Sequence, residues 1–120
     1  MKKLFLIATV LCLLTAGFAV AETVEGKLTV QGVCGMCKAR IEKAARDVSG
    51  VASAEWELET KVLALQFDSG KTSLDAISKA VAKVGHDTDR DGADDKVYAA
   101  LPDCCKYRDT ELESQEHHNH

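Results

Sequence analysis

The apolar residues between Lys27 and Gly85 switch repeatedly between a two-residue and a helical spacing, and the order of those switches is what most limits the fold. Lys27-Leu28-Thr29-Val30-Gln31 alternates apolar and polar side chains, the period of a half-buried strand. Ile41, Ala44, Ala45 and Val48 then recur at i, i+3, i+4 and i+7, which predicts an amphipathic helix starting near Cys37. Gly50 is expected to stop it, because glycine takes the left-handed conformation that helix ends favour. Ala52, Ala54, Trp56 and Leu58 alternate with Ser53, Glu55, Glu57 and Glu59, and after a short turn Leu63, Leu65 and Phe67 alternate again. Two adjacent runs of this kind predict a hairpin with Trp56 facing the core. Asp68-Ser69-Gly70 breaks the pattern, and Thr72 with Asp75 three residues on predicts a capping box for a second helix. Leu74, Ile77, Val81 and Val84 mark that helix's buried face, and Gly85 ends it. His86 to about Arg90 is expected as a short last strand, although its composition favours β structure poorly.

The order strand, helix, strand, strand, helix, strand specifies an α+β, ferredoxin-like βαββαβ sandwich. Its four-stranded antiparallel sheet carries both helices on one face, and residues 26–90 suffice to build it. Beyond Asp91 comes an extension with a helical turn around Asp95 to Ala100, followed by Leu101-Pro102-Asp103-Cys104-Cys105.

Composition matters at the ends of the chain. Lys2 and Lys3 precede the apolar run Leu4 to Leu14, and Ala19-Val20-Ala21 supplies small residues before Glu22, so residues 1–21 read as a signal peptide cleaved near Ala21. The apolar run is short for a bilayer span, which needs about 20 residues, so no stable membrane insertion is expected of the mature chain. Its removal takes two lysines and no acid, moving the formal net charge from −4 to −6 and excluding nucleic acid as a partner. Leu, Ile, Val and Phe become sparse, yet nearly all of those remaining fall between Val24 and Leu101, with Leu112 alone beyond. One compact domain with a polar tail follows.

Export implies an oxidising compartment, periplasmic or extracellular, where cysteines usually pair. Cys34 with Cys37 and Cys104 with Cys105 are two tight pairs far apart in the chain, so a bridge within either pair would restrict little chain entropy. The clustering points to chemistry. Two thiols where a loop enters a helix meet the helix's unpaired amides and positive end, which favour thiolate. Thiolate pairs select Cu(I) and other thiophilic ions over hard cations. A thiol-disulfide carrier is the competing reading of Cys-Gly-Met-Cys. It is disfavoured because only about a dozen mature residues precede Cys34 and the sole proline, Pro102, lies far downstream.

Gly32-Val33-Cys34-Gly35-Met36-Cys37 followed by Ile41-Glu42-Lys43-Ala44 resembles the heavy-metal-associated domain of copper chaperones, copper-pumping ATPase amino-terminal domains and periplasmic mercury-binding proteins. The family motif is Gly-Met-x-Cys-x-x-Cys-x-x-x-Ile-Glu. Here Val33 alone separates glycine from Cys34, and Met36 lies between the cysteines. The resemblance implies residues 22–91 as the heavy-metal-associated domain and 92–120 as an extension with a cysteine pair and a histidine-containing tail. It implies Cys34 and Cys37 as ligands for Cu(I), or for Hg(II) or Zn(II), and no catalytic activity. It also implies transfer to a metal-transporting membrane protein or another metal-binding domain.

Other side chains are candidates around that pair. His86, after the second helix, is a candidate third, imidazole ligand. Cys104 and Cys105 are candidates to fold back and complete the site, or else to form a second, independent pair or a disulfide clamp, and neighbouring side chains are expected to diverge. Lys38 and Arg40 either offset a negative complex or solvate the helix. Glu116 to His120 is a small histidine cluster able to capture Cu(II) or Zn(II) weakly. Asp87, Asp89, Asp91, Gly92 and Asp95 match the start of a calcium loop, but Tyr98 stands where a bidentate glutamate belongs, so a solvated acidic loop is expected.

Overall fold

A computed structural model describes residues 22–109. Residues 1–21, expected as a signal peptide, and the histidine cluster of the tail lie outside the described residues. Strands β1 (Thr23–Thr29), β2 (Val51–Trp56) and β3 (Val62–Asp68) form an antiparallel sheet in the order β1-β3-β2. Thr23 faces Asp68 and Thr29 faces Val62 across one ladder, and Trp56 faces Leu63 across the other. The alternation in the sequence decides the faces. Leu28, Ala54, Trp56, Leu63, Leu65 and Phe67 turn into the core, while Glu25, Lys27, Glu55, Ala64 and Gln66 are exposed. Helices α1 (Gly35–Arg46) and α2 (Leu74–Lys83) cover the inner face with Ile41, Ala45, Ile77 and Val81. Trp56 is buried as expected, and its indole N–H donates to Val30 O at 3.0 Å.

The expected fourth strand is replaced by a single bridge, Val30 to Thr88. Gln31 N donates to Asp87 O and Asp89 N to Thr29 O, so the segment lies beside the end of β1 and goes no further. Its side chains explain why. Thr88 Oγ1 accepts from the amides of Arg90 and Asp91, and Asp89 takes the Thr29 amide with its carboxylate. Short polar side chains here capture backbone donors that a ladder would use. The N-cap of α2 also differs by one residue from the expected capping box: Ser73 Oγ, not Thr72, accepts from Ala76 N at 3.2 Å. Helix α1 stops at Arg46, with Gly50 (φ +100°) in the turn that follows.

After Thr88 the chain forms helix α3 (Asp95–Ala99) and a 3₁₀ turn, Asp103–Cys105. This extension is packed into the same core. Leu101, Cys105 and Tyr107 join the buried cluster, and Leu101 covers Gly85, whose φ of +106° excludes most side chains. Tyr107 Oη donates to Gly85 O at 2.6 Å and accepts from Asp87 N at 2.9 Å. The Arg108 guanidinium grips both Asp87 oxygens at 2.8 and 3.1 Å, donates to Ala93 O and stacks on Tyr98. Among the described residues, no helix is long and apolar enough to cross a membrane.

Candidate metal centre

The centre begins where β1 hands over to α1. Cys34 is the N-cap residue of α1, with extended backbone, and its Sγ accepts from Cys37 N at 3.4 Å. The thiol therefore sits on the unpaired amides at the positive end of the helix, where a thiolate is favoured. Cys37 is fully buried one turn later, with its Sγ 3.2 Å from that of Cys34. Gly32 is required for this approach. A Cβ there would lie 3.0 Å from Cys37 Cβ and 3.1 Å from the Trp56 ring.

The extension delivers the other cysteine pair to the same place. Cys105 Sγ lies 3.4 Å from Cys34 Sγ, and Cys104 Sγ lies 3.8 Å from Cys105 Sγ. Cys34, Cys104 and Cys105 place their sulfurs within 4.8 Å of one another, and the four cysteines among the described residues are free thiols. Adjacent residues thus converge where divergence was expected, because the 3₁₀ turn tightens the backbone at Asp103–Cys105. Cys104, on the exposed side, donates to Met36 Sδ at 3.5 Å.

The acidities divide sharply. Burial pushes the Cys34 thiol up, but donation from the Cys37 amide and from the Cys37, Cys105 and Cys104 thiols outweighs it, lowering its pKa to about 7. Burial pushes Cys37 up to about 12. Cys104 is raised to about 11, chiefly by donating to Cys105.

His86 is not brought to the sulfurs. It is fully buried behind them, where its Nδ1–H donates to Gln31 O at 2.7 Å and its Nε2 faces Arg40 Nη1 at 3.4 Å. The carbonyl can only accept, so the neutral ring presents a lone pair to the guanidinium. Burial lowers the histidine pKa and keeps it in that neutral form. Both ring nitrogens of His86 thus have partners within the protein, Gln31 O and the Arg40 guanidinium. Its contact matters through Arg40, which also donates to Cys105 Sγ at 3.3 Å. Lys38, by contrast, binds Glu42 and Trp56 O and has no role at the sulfurs.

The acidic loop does not converge. Asp87 is held by Arg108 and by Ala93 N, Asp89 by Thr29 N and Asp91 by Ser78 Oγ. Sequence reasoning left Arg40 undecided and missed Tyr107 and Lys61, whose ammonium donates to Gly32 O. For Arg40 a signal existed, since it falls at i, i+3 from Cys37 and so on the same side of α1.

A cluster of free thiols at a helix N-terminus suits a soft, thiophilic ion. The fold recurs in known proteins. The chain is 33% identical to the mercuric transport protein periplasmic component of Pseudomonas aeruginosa, over 72% of this chain and 93% of that protein. It is 36% identical to the copper chaperone CopZ of Staphylococcus aureus (strain bovine RF122 / ET3-1), over 50% of this chain and 90% of that one. Its fold superposes on the crystal structure of oxidized MerP from Ralstonia metallidurans CH34 with a TM-score of 0.54 and 32% identity, covering 56% of this chain and 94% of that chain. Residues 27–87 match the heavy-metal-associated domain, and the chain belongs to that family.

Proposed function

We propose that this is an exported heavy-metal-binding protein that holds Cu(I) between Cys34 and Cys37 and passes it on by ligand exchange. The observation that carries the reading is the Cys34 thiol at the N-terminus of α1, its sulfur 3.2 Å from that of Cys37 and its pKa lowered to about 7. A thiol half-ionised near neutral pH releases its proton to solvent at little cost when a metal binds. An incoming thiolate adds to the metal before Cys34 or Cys37 leaves, so no covalent bond of a substrate is broken. The partner would be a metal-transporting membrane protein or another metal-binding domain, and residues 1–21 would direct the chain to the periplasm. Residues 22–91 would form the metal-binding domain and 92–120 its extension.

Mercury(II) is the second reading. It is favoured by the relative named a mercuric transport protein periplasmic component, which aligns over 93% of its length. Anaerobic titration tests both. About one Cu(I) per chain, held against a chromophoric chelator and lost in Cys34→Ser, supports the copper reading. Tight Hg(II) uptake with weak Cu(I) retention supports the mercury one. No uptake of either, with rapid disulfide exchange, refutes both in favour of a thiol-disulfide carrier.

A further inference from the structure

The cysteine pair in the extension has no counterpart in the two-cysteine motif, yet the fold spends much of its packing on placing it. Cys105 is fully buried between Arg40 and the core, and the segment carrying it is fixed from both sides. Leu101 lies on Gly85 before it, and Tyr107 and Arg108 bind Gly85 and Asp87 after it. A disulfide clamp would explain such anchoring only if the sulfurs were bonded, and all four are free thiols.

The sulfur separations carry the argument further. With metal–sulfur bonds of about 2.3 Å, two thiolates on a linear ion stand about 4.6 Å apart, three on a trigonal ion about 4.0 Å and four on a tetrahedral ion about 3.8 Å. Cys34 to Cys37 is 3.2 Å, well short of the linear span. Cys34 to Cys105 is 3.4 Å and Cys104 to Cys105 is 3.8 Å, with all three sulfurs of this set inside 4.8 Å. Cys104 to Cys105 thus has the spacing of three- or four-coordinate ligation, and Cys34 to Cys105 would widen by about 0.5 Å to reach it.

We infer that Cys34, Cys104 and Cys105 form a three-thiolate Cu(I) site that shares Cys34 with the Cys34 and Cys37 pair, making the chain a retaining protein more than an open carrier. The inference rests on the proposed reading that Cys34 ligates a thiophilic ion. Each thiol that binds releases its proton to solvent, and three thiolates around Cu(I) leave a charge of −2. Two features face that charge: the N-terminus of α1 under Cys34 and the Arg40 guanidinium 3.3 Å from Cys105 Sγ. Arg40 is held there by the buried Nε2 of His86. On the exposed side, Cys104 Sγ lies within 4.8 Å of Cys34 Sγ and donates to Met36 Sδ. A third bond must then break before the ion can leave, which slows transfer and tightens storage.

The test is anaerobic Cu(I) loading of the purified chain, with the sulfur coordination number read by X-ray absorption and retention read by competition with a chromophoric Cu(I) chelator. The native chain should show three sulfurs per copper. Cys104→Ser should show two and lose at least tenfold in retention. Because Cys104 is exposed, that variant keeps the fold even where Cys105→Ser fails to, and circular dichroism confirms it. Cys37→Ser should keep three sulfurs. Native coordination and retention in Cys104→Ser overturn the three-thiolate site while leaving the Cys34 and Cys37 reading intact. Loss of all copper in Cys37→Ser also overturns it. No Cu(I) uptake by the native chain overturns both.

Discussion

Replacing Tyr107 by phenylalanine removes one oxygen and leaves the ring, its stacking on His86 and its edge contact with Tyr98 in place. That oxygen donates to Gly85 O at 2.6 Å and accepts from Asp87 N at 2.9 Å, and the residue is 1% exposed. Burial raises the phenol pKa to about 12, so it remains a donor across the whole working range. Tyr107→Phe strands one acceptor and one donor, each costing about 1–3 kcal/mol when water cannot reach it. Asp87 is only half-buried, which lets water recover part of the second cost, and phenylalanine is cheaper to desolvate than tyrosine. A net loss of about 2 kcal/mol follows, lowering the melting temperature of a domain this size by about 8–16 °C. Urea unfolding followed by Trp56 fluorescence measures it, with the midpoint shifted and the slope unchanged. A loss below about 0.5 kcal/mol would refute the claim that Tyr107 pins the extension to the turn after α2.

Three further outcomes follow from the same geometry. Alkylation of the metal-free chain should modify Cys34 first, with a rate that rises with pH and reaches half its maximum near 7, while Cys37, pushed up to about 12, stays unreactive. A midpoint near the ordinary thiol value of about 8.5 would contradict the helix-end placement. His86 is buried neutral with its pKa lowered, so the folded state binds fewer protons there than the unfolded chain does. Its stabilisation is full above the unfolded value near 6.5 and is lost as pH falls below it; denaturant unfolding from pH 8 to 5 should show that decline, and His86→Phe should flatten it. Glu42 and Asp87, both lowered, act in the same direction at more acidic pH. Finally, Gly50→Ala should cost about 1–3 kcal/mol, because φ is +100° and the new Cβ would lie 2.8 Å from Lys71 Cβ. Gly35→Ala, with nothing within 4 Å of the new Cβ, should stabilise by about 0.4–1 kcal/mol, and thermal melts of the two variants shifting the same way would refute the contrast.

Much of this protein is written in short-range pattern. Two-residue alternation chose the inward faces of β1, β2 and β3, and helical spacing chose Ile41 and Ala45, Ile77 and Val81. These choices concern residues a few positions apart, so the sequence alone determined the order of three strands and two helices, the side of the sheet that packs, Trp56 in the core and Cys34 with Cys37 at a helix entrance. It missed where local preferences are nearly balanced. Ser73 and Thr72 are both competent caps, and the segment from His86 to Arg90 follows its Thr and Asp side chains into a turn. What only the tertiary structure decided is the meeting of Cys34 with Cys105, 71 residues apart. No local dihedral or period encodes that distance. It is the sum of Leu101 on Gly85, Tyr107 between Gly85 and Asp87, and Arg108 on Asp87, each a long-range contact satisfied only once the sheet and helices have formed. Arg40 is positioned by the same assembly, since its two partners, the Cys105 sulfur and the His86 ring, come from segments that packing alone brings together.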